Sequence, residues 1–249
     1  MFKARRTKDE KRFKDEDLVK VVDAVIDART YVTLMEIKSK LRLSYIGGPL
    51  SSGKESRIYY ARDDEGREYA LKIFYTTTTN KRVIRRYIGG DSKVPPKAVS
   101  TRRLIEIWAR REFRNLQLLS KAGVNVAKPH IVRGNILVMD FLGKEGMRFP
   151  LLKELEVVNA ELYKETLNQV FKMVRGAKLV HGDLSEYNVM VFEERPYIID
   201  VSQAMELAKE DAVEILRKDL ENLNNFFSSM GVEVIQVEEI MRELLGDEY

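Results

Sequence analysis

The chain has 249 residues, of which 44% are hydrophobic, and a net charge of +4, values typical of a soluble globular protein with one large or two smaller lobes. No apolar run approaches the roughly 20 residues that a membrane-spanning helix needs, and the charged N-terminus has no apolar signal stretch, so we expect a cytoplasmic protein without a membrane partner. Cysteine is absent and only two histidines occur, which excludes disulfides, thiolate catalysis and cysteine-based zinc sites and argues against a multi-histidine metal site.

The first 44 residues are predicted to form a helical extension. Residues 1–16 are highly charged, and Asp17 to Thr30 carries apolar residues at a helical period. A second amphipathic piece follows near Tyr31 to Leu43. A brace for the main sheet and an independent docking module are both compatible with this pattern, and we favour the brace because the segment is short for a domain.

A glycine- and serine-rich loop follows, at Gly48 to Lys54, and its spacing is close to that of a nucleotide-binding P-loop. Glu55 stands where a P-loop has Ser or Thr, and the next residues are β-prone rather than helical. We therefore predict a β-hairpin whose loop covers a ligand, with main-chain N–H groups facing phosphate oxygens. An ordinary tight turn remains the alternative.

Lys72 lies inside the next predicted strand, among apolar neighbours. A buried ammonium there would need an acidic partner, whereas strand alternation alone could equally place Lys72 on a solvated face. Thr101 to Lys121 is predicted to be an amphipathic helix that offers Glu106 and Glu112 as partners. Gly123 is a plausible helix stop.

The segment between that strand and that helix is strongly basic. From Thr76 to Arg103 there are eight Lys or Arg residues and one acid, Asp91. A segment of this kind attracts phosphate backbones, although a solvated loop has the same composition. Its G-G and P-P pairs suggest an insert at 76–100 that orders when a partner binds.

The second half of the chain is predicted to be mainly helical. Asn135 to Asp140 reads as a buried strand, and Phe141, Leu142 and Gly143 form a natural hinge after it. The predicted helices beyond the hinge are Glu161 to Gly176, Ala212 to Phe227 and Val237 to Leu245.

Three oxygen-bearing side chains are the candidates for chemistry in the stretch from Leu179 to Gln203. Strands at Val189 to Phe192 and Tyr197 to Ile199, joined by a turn, would bring Asp183, Asn188 and Asp200 to one end of a hairpin. Such ligands suit Mg²⁺ shared with substrate phosphates, as in the kinase arrangement of catalytic Asp, Asn and metal-binding Asp. A polar turn with Asp and Asn as caps is the alternative.

Taken together, the motifs resemble the type-1 branch of the RIO family of atypical serine/threonine protein kinases, over about residues 46–227. The matching stretches are S-S-G-K-E-S, A-L-K-I-F, W-A-R-R-E-F-R-N-L, L-V-H-G-D-L-S-E-Y-N and Y-I-I-D-V-S-Q. The resemblance implies an α+β fold, a trimmed bilobal kinase with a β-rich N-lobe at 45–140, a mainly helical C-lobe at 141–249 and N-terminal helices. It also implies ATP with Mg²⁺ or Mn²⁺ as cofactors.

The resemblance assigns roles to individual residues. Lys72 would contact the α- and β-phosphates, Glu112 would orient Lys72, and Asp183 would be the catalytic base. Asn188 and Asp200 would hold the metal, and Asp200 would also accept phosphate as an aspartyl intermediate. The remaining nucleotide contacts would come from the gatekeeper Met139, the hinge residues Asp140 and Leu142, and the loop residues Ser51, Ser52, Gly53, Lys54 and Ser56.

The chain departs from ordinary kinases at several of these motifs. Gly182 stands where Arg usually precedes the catalytic Asp, and Val201 and Ser202 replace the Phe-Gly after the metal-binding Asp. No A-P-E motif follows, so activation by loop phosphorylation is not expected.

The partner implied by the resemblance is the small ribosomal subunit precursor, where ATP turnover would matter more than protein phosphorylation. A nucleotide-gated binding factor on ribosomal RNA is a second hypothesis, and a small-molecule kinase of the aminoglycoside or choline type is a third. The sequence names neither the phosphorylated residue nor the oligomeric state.

Overall fold

The computed structural model describes residues 26–53, 55–76 and 100–246. The predictions for residues 1–25, for Lys54 and for most of the basic insert lie outside these ranges. Helix α1 spans Ala28–Lys40, and its N-cap Asp27 accepts a hydrogen bond from the Thr30 N–H. The prediction that a helix ends at Thr30 is therefore wrong, because Asp27 has an extended backbone and α1 begins just after it and runs past Thr30 without a break.

A five-stranded antiparallel sheet carries the glycine- and serine-rich loop and the hinge. Its strands, in the spatial order β1-β2-β3-β5-β4, are β1 (Leu43–Ser52), β2 (Ser56–Asp63), β3 (Glu68–Phe74), β5 (Ile136–Asp140) and β4 (Pro129–Arg133). The predicted hairpin around the loop is confirmed by the β1–β2 pairing, in which Ser52 lies opposite Arg57.

Helix α2 spans Thr101–Lys121, with the predicted bounds. Ser100 caps its first turn, and Gly123, at φ +76°, follows its end. Its buried face carries Trp108, which is 1% exposed. This helix spans the boundary between the sheet and the C-terminal elements, so it can carry side chains to both.

The C-terminal elements form the helical part of the molecule. They are β6 (Gly143–Lys144), β7 (Met147–Arg148), α3 (Ala160–Phe171), β8 (Leu179–Val180), β9 (Val189–Phe192), β10 (Arg195–Ile198), β11 (Met205–Glu206), α4 (Ala212–Ser229) and α5 (Val237–Leu245). Short 3₁₀ turns cover Leu152–Glu154 and Val201–Gln203.

Two predicted details of this part are wrong. The helix expected from Glu161 to Gly176 is α-helical only to Phe171 and continues as the π-helical segment Lys172–Ala177. The turn between β9 and β10 is shorter than expected, since Arg195 and Pro196 belong to β10. The strands themselves pair as predicted, Val189 with Ile198, which places Asp200 just beyond the hairpin.

Most of the buried hydrophobic residues in the described ranges form two clusters. The sheet core lies between α1 and the sheet, and its members are Leu34, Ile37, Leu43, Ile46, Tyr59, Ala61, Tyr69, Leu71, Ile73, Ile136 and Val138. The main core joins α2 to the C-terminal elements and includes Phe74, Leu104, Trp108, Leu116, Leu119, Leu137, Val180, Val201, Leu220 and Phe227. This β-rich half and helical half match the predicted arrangement, while the division at 44/45 and 140/141 stays a prediction. Within the described ranges, no helix is long and apolar enough to cross a membrane.

Candidate active site

A cleft of about 320 Å³ lies between the sheet and the C-terminal elements. Its roof comes from β1, β2 and β3, its back from β5 and the hinge, and its floor from β9 and the segment after β10. The residues that line it are Leu50, Ser51, Gly53, Ser56, Ile58, Ala70, Lys72, Glu112, Leu116, Ala127, Met139, Asp140, Phe141, Leu142, Arg148, Leu151, Tyr187, Asn188, Met190, Ile198, Ile199 and Asp200. Apolar walls that end at the charged cluster of Lys72, Glu112 and Asp200 suit a ligand with a flat apolar part and an anionic tail.

Lys72 lies on β3 at the charged end of the cleft. Its side chain is 7% exposed, so the alternative that placed Lys72 on a solvated face is wrong. The ammonium Nζ lies 2.8 Å from Glu112 Oε1 and 2.8 Å from Asp200 Oδ1. Burial alone would lower the pKa of Lys72, but the two carboxylates outweigh burial and raise it, so the ammonium stays charged.

The structure selects Glu112 over Glu106 as the helix partner. Glu106 lies on an outer part of α2, within ion-pair distance of Arg102 and Arg103. Glu112 is buried, and burial raises its pKa to about 7 against the attraction of Lys72. Helical periodicity offered both residues, and the packing of α2 on the main core decides between them.

Asp200 follows β10 in a left-handed backbone conformation, at φ 55° and ψ 55°. The Lys72 ammonium holds the pKa of Asp200 below its ordinary value, and the Ser202 hydroxyl donates to Oδ1 over 3.2 Å. The carboxylate is therefore ionised and fixed at the cleft. A non-glycine residue in this conformation stores backbone strain, which the surrounding contacts have to offset.

Asp183 and Asn188 meet in the loop between β8 and β9. The Asn188 Nδ2 group donates to the Asp183 carbonyl over 2.7 Å and lies 3.5 Å from the Asp183 carboxylate. Burial raises the pKa of Asp183, opposite to the shift of Asp200, so the two acids differ in proton affinity. Such a separation is typical of a pair in which one acid exchanges a proton and the other remains charged.

The donor set fits Mg²⁺. Because Nδ2 of Asn188 is used on the Asp183 carbonyl, its Oδ1 remains for a cation, and Asp200 adds a carboxylate. The described residues contain no group of three or more His, Cys, Asp or Glu that could hold a metal. Two protein oxygens completed by phosphates and water are the usual environment of Mg²⁺ in phosphoryl-transfer sites.

Some of the predicted loop residues line the cleft and others do not. Ser51, Gly53 and Ser56 line the cleft, whereas Ser52 is exposed and is not among the lining residues. The Gly53 N–H donates to the Ser56 carbonyl over 2.9 Å, so this N–H closes the hairpin turn instead of facing a phosphate as expected.

The predicted gatekeeper Met139 and the predicted hinge residues Asp140 and Leu142 all line the cleft. The Asp140 N–H donates to the Lys128 carbonyl, and the Leu142 carbonyl accepts from the Phe149 N–H. Among the described residues, no main-chain carbonyl accepts from the Leu142 N–H, which is therefore the candidate donor to a ligand at this edge.

Asp219 of α4 holds the Asp183 loop from behind, and the sequence analysis missed it. One carboxylate oxygen accepts the Gly182 N–H over 2.9 Å and the other accepts the Leu184 N–H over 2.8 Å. Burial raises the pKa of Asp219. The signal was present in the sequence, since an acid between Leu216 and Leu220 lies on the apolar face of its helix and needs partners there.

Comparisons with a family model and with curated proteins agree on one family. The model of the RIO domain matches residues 57–240. The RIO-type serine/threonine-protein kinase Rio1 of Haloferax volcanii is 33% identical over 89% of this chain and 77% of its own, and that of Methanocaldococcus jannaschii is 36% identical over 88% and 74%. The serine/threonine-protein kinase RIO1 of Caenorhabditis elegans is 36% identical over 94% of this chain, which spans about half, 47%, of that relative.

A solved structure shares the fold. The Rio2 kinase of Chaetomium thermophilum, in an ADP/Mg²⁺-phosphoaspartate complex, superimposes with a TM-score of 0.67 at 19% identity, covering 88% of this chain and 66% of that chain. The predicted kinase-like α+β fold is thereby confirmed.

Proposed function

The chain belongs to the RIO family of serine/threonine-protein kinases, and from this premise we propose that it transfers the γ-phosphoryl group of ATP with the help of Mg²⁺. The observation that carries the proposal is the buried Lys72 ammonium at 2.8 Å from both Glu112 and Asp200, at one end of a cleft lined by the hinge. This arrangement supplies a fixed cation for phosphates next to an ionised metal-binding carboxylate.

Each residue of the site has a separate task in the proposed reaction. Lys72 binds the α- and β-phosphates while Glu112 keeps its ammonium in place. Asp183 accepts the proton of a serine or threonine hydroxyl, and its raised pKa suits it as a base. Asn188 and Asp200 hold the metal, which neutralises phosphate charge when bound. Catalysis then consists mostly of positioning and charge stabilisation.

Asp200 is also the proposed phosphate acceptor in ATP hydrolysis. One carboxylate oxygen would attack the γ-phosphorus, the bond between that phosphorus and the β–γ bridging oxygen would break, and ADP would leave. Water would then hydrolyse the aspartyl phosphate. The support is the solved ADP/Mg²⁺-phosphoaspartate complex of the Chaetomium thermophilum Rio2 kinase, together with the ionised state of Asp200 in this chain.

The proposed setting is maturation of the small ribosomal subunit in the cytoplasm. Its support is the family resemblance and the basic segment between Thr76 and Arg103, which suits ribosomal RNA. Substrates would be the chain itself, by autophosphorylation, and proteins of the precursor particle. Mn²⁺ could replace Mg²⁺ in the same oxygen set.

The test is incubation with γ-labelled ATP, with and without small-subunit precursor particles. We expect labelled protein or released phosphate from the wild-type chain, and a loss of several orders of magnitude in Lys72→Met and Asp200→Ala. Near-normal turnover by Asp200→Ala would refute the assignment. Label that survives acid and is released by hydroxylamine should map to Asp200, and label only on hydroxyl groups would refute the aspartyl step.

A further inference from the structure

The helix that carries Glu112 is hydrogen-bonded directly to the segment that follows Asp200. Asn115 lies one turn after Glu112, and its Nδ2 group donates to the Val201 carbonyl over 2.9 Å and to the Ala204 carbonyl over 3.2 Å. Arg111 adds a third bond, from Nη2 to the Ala204 carbonyl over 2.9 Å. Residues 111 and 115 lie four apart, so both side chains project from the same face of α2.

These bonds satisfy main-chain groups that water cannot reach. Asn115 is 5% exposed, Val201 0% and Ala204 1%. The Val201 carbonyl also accepts the Ala204 N–H, so Asn115 provides its second bond and completes the small 3₁₀ turn at Val201–Gln203. A side chain without a donor at position 115 would leave the buried Val201 carbonyl with one hydrogen bond fewer. We expect the turn to shift in response, because an unsatisfied buried polar group costs free energy.

The tied segment is the one that sets the place of Asp200. Asp200 has a left-handed backbone immediately before the turn, and Ser202 within the turn donates to its carboxylate. On the other side Gly182, which precedes Asp183, packs so closely that an added Cβ would lie 3.3 Å from the Gln203 carbonyl oxygen. The turn is therefore held between α2 and the Asp183 loop, with Asp200 at its start.

We propose that Asn115, assisted by Arg111, is a positioning residue that couples α2 to the metal-binding carboxylate. The helix then sets two groups at once: Glu112 holds Lys72 through its side chain, and Asn115 fixes Asp200 through the main chain. This inference rests on the proposed function, since it concerns how Asp200 is presented to Mg²⁺.

The experiment compares ADP binding in EDTA and in excess Mg²⁺, by calorimetry, for wild type and Asn115→Ala. The ratio of the two affinities reports the metal contribution without requiring turnover. We expect the affinity in EDTA to stay within about twofold, while the enhancement by Mg²⁺ falls about tenfold or more, because a displaced Asp200 costs the metal contact but not the adenine contacts.

The matched control is Asn224→Ala. Asn224 is also a buried asparagine whose amide donates to a main-chain carbonyl, that of Ile235, but it lies on α4 away from the cleft. Its removal should lower thermal stability and leave the Mg²⁺ enhancement unchanged. If Asn115→Ala keeps the same enhancement as Asn224→Ala, Asn115 has only a structural role and the proposal is refuted.

A second variant covers the case in which Asn115→Ala does not fold. Arg111→Met keeps an unbranched stem on α2 and removes the shorter of the two side-chain bonds to the Ala204 carbonyl, and Arg110→Met on the exposed face of the helix controls for the lost charge. Arg111→Met should reduce the Mg²⁺ enhancement and Arg110→Met should not, and equal enhancements would refute the coupling. Absence of ADP binding by the wild-type chain in both conditions would refute the proposed function itself, and the inference with it.

Discussion

At the residue scale, two carboxylates share one ammonium, and their surroundings are unequal. The Glu112 side chain is 2% exposed, whereas that of Asp200 is 52% exposed, although each lies 2.8 Å from Lys72. The more buried acid is the harder to ionise, so the pKa rises at Glu112 and falls at Asp200. Asp200 is thereby kept charged, as its proposed role as a metal ligand requires, whereas the cost of burying a charged carboxylate falls on Glu112.

This inequality predicts a pH dependence of stability. The pKa of Glu112 in the folded chain, about 7, lies above its ordinary value of 4.5, so the folded state holds the proton more tightly than the unfolded state. The contribution of Glu112 is therefore greatest below pH 4.5 and is lost as the pH rises towards 7. The free energy of unfolding of wild type minus that of Glu112→Gln should fall by up to about 1.4 kcal/mol per pH unit across this window.

Denaturant unfolding at several pH values between 4 and 8 measures this difference. Glu106→Gln is the matched control, because it removes a carboxylate of the same helix from ion pairs that are more exposed. This difference in unfolding free energy should fall more steeply with pH for Glu112→Gln than for Glu106→Gln. A flat difference for Glu112→Gln would show that Lys72 compensates its burial fully.

Asp219 gives a second residue-scale prediction. Its two oxygens each accept one main-chain N–H of the Asp183 loop, so Asp219→Asn must turn an NH₂ group towards one of these donors. We expect a loss of about 1–3 kcal/mol in unfolding free energy and a slower ATP turnover, measured on the same preparation. Asn222→Ala, which removes the neighbouring bond to the Leu184 carbonyl, should cost less in both. Equal effects of the two variants would contradict the role of Asp219.

At the element scale, one capping residue ties three elements together. Asp27 accepts from the Thr30 N–H of α1, from the Thr76 hydroxyl after β3, and from Arg102 of α2 at 2.9 and 3.0 Å. Asp27→Ala should therefore cost more than the about 1 kcal/mol of an ordinary N-cap, and more than Ser100→Ala, whose cap is a single 3.3 Å bond. Thermal unfolding of the two variants checks the order, and the reverse order would mean that the cross-element bonds contribute little.

The sequence predicts best those elements whose ends carry capping or stop residues and whose buried face shows a regular apolar pattern. Helix α2 has a serine cap, an apolar stripe and a glycine stop, and its bounds could be read from the sequence. The π-helical segment Lys172–Ala177 after α3 has no such signal. Its tight packing is visible only in three dimensions, where a Cβ added at Gly176 would lie 2.9 Å from the Ala122 side chain. The sequence therefore predicts a continuous helix, because no residue of this segment marks the change from α-helical to π-helical hydrogen bonds.

The residues of the site likewise divide into those that the sequence could identify and those that it could not. Lys72, Asp183, Asn188 and Asp200 stand in motifs, so the sequence could name them before any geometry was known. Asn115 and Asp219 act on the main chain of distant segments, 86 and 37 residues away for the Val201 and Gly182 bonds. Contacts to main-chain atoms leave no pattern at the receiving residue, so the position of Asp219 on an apolar helix face could signal a need for partners but could not identify them.

At the scale of the whole molecule, the hydrophobic cores do not follow the hinge. Helix α2 precedes the hinge in sequence, but its buried residues Leu104, Trp108 and Leu116 belong to the main core with α4, while α1 and the inner face of the sheet form the sheet core. The polar contacts of Asn115 and Arg111 add to this division. We therefore expect α2 to open together with the C-terminal elements and not with β1 and β2.

Native-state hydrogen exchange, resolved by peptide, tests this grouping. Leu220→Ala in the main core and Leu34→Ala in the sheet core are matched deletions at fully buried positions, each expected to cost about 2–5 kcal/mol. If openings are cooperative within a core, Leu220→Ala should speed exchange in α2 and α4 and spare β1, whereas Leu34→Ala should speed exchange in α1 and β1 and spare α2. Should α2 follow Leu34→Ala instead, the helix would belong energetically to the sheet. The hydrogen bonds between α2 and the segment after Asp200 would then cross a boundary that opens, and this would contradict the proposal that α2 fixes Asp200 as a metal ligand.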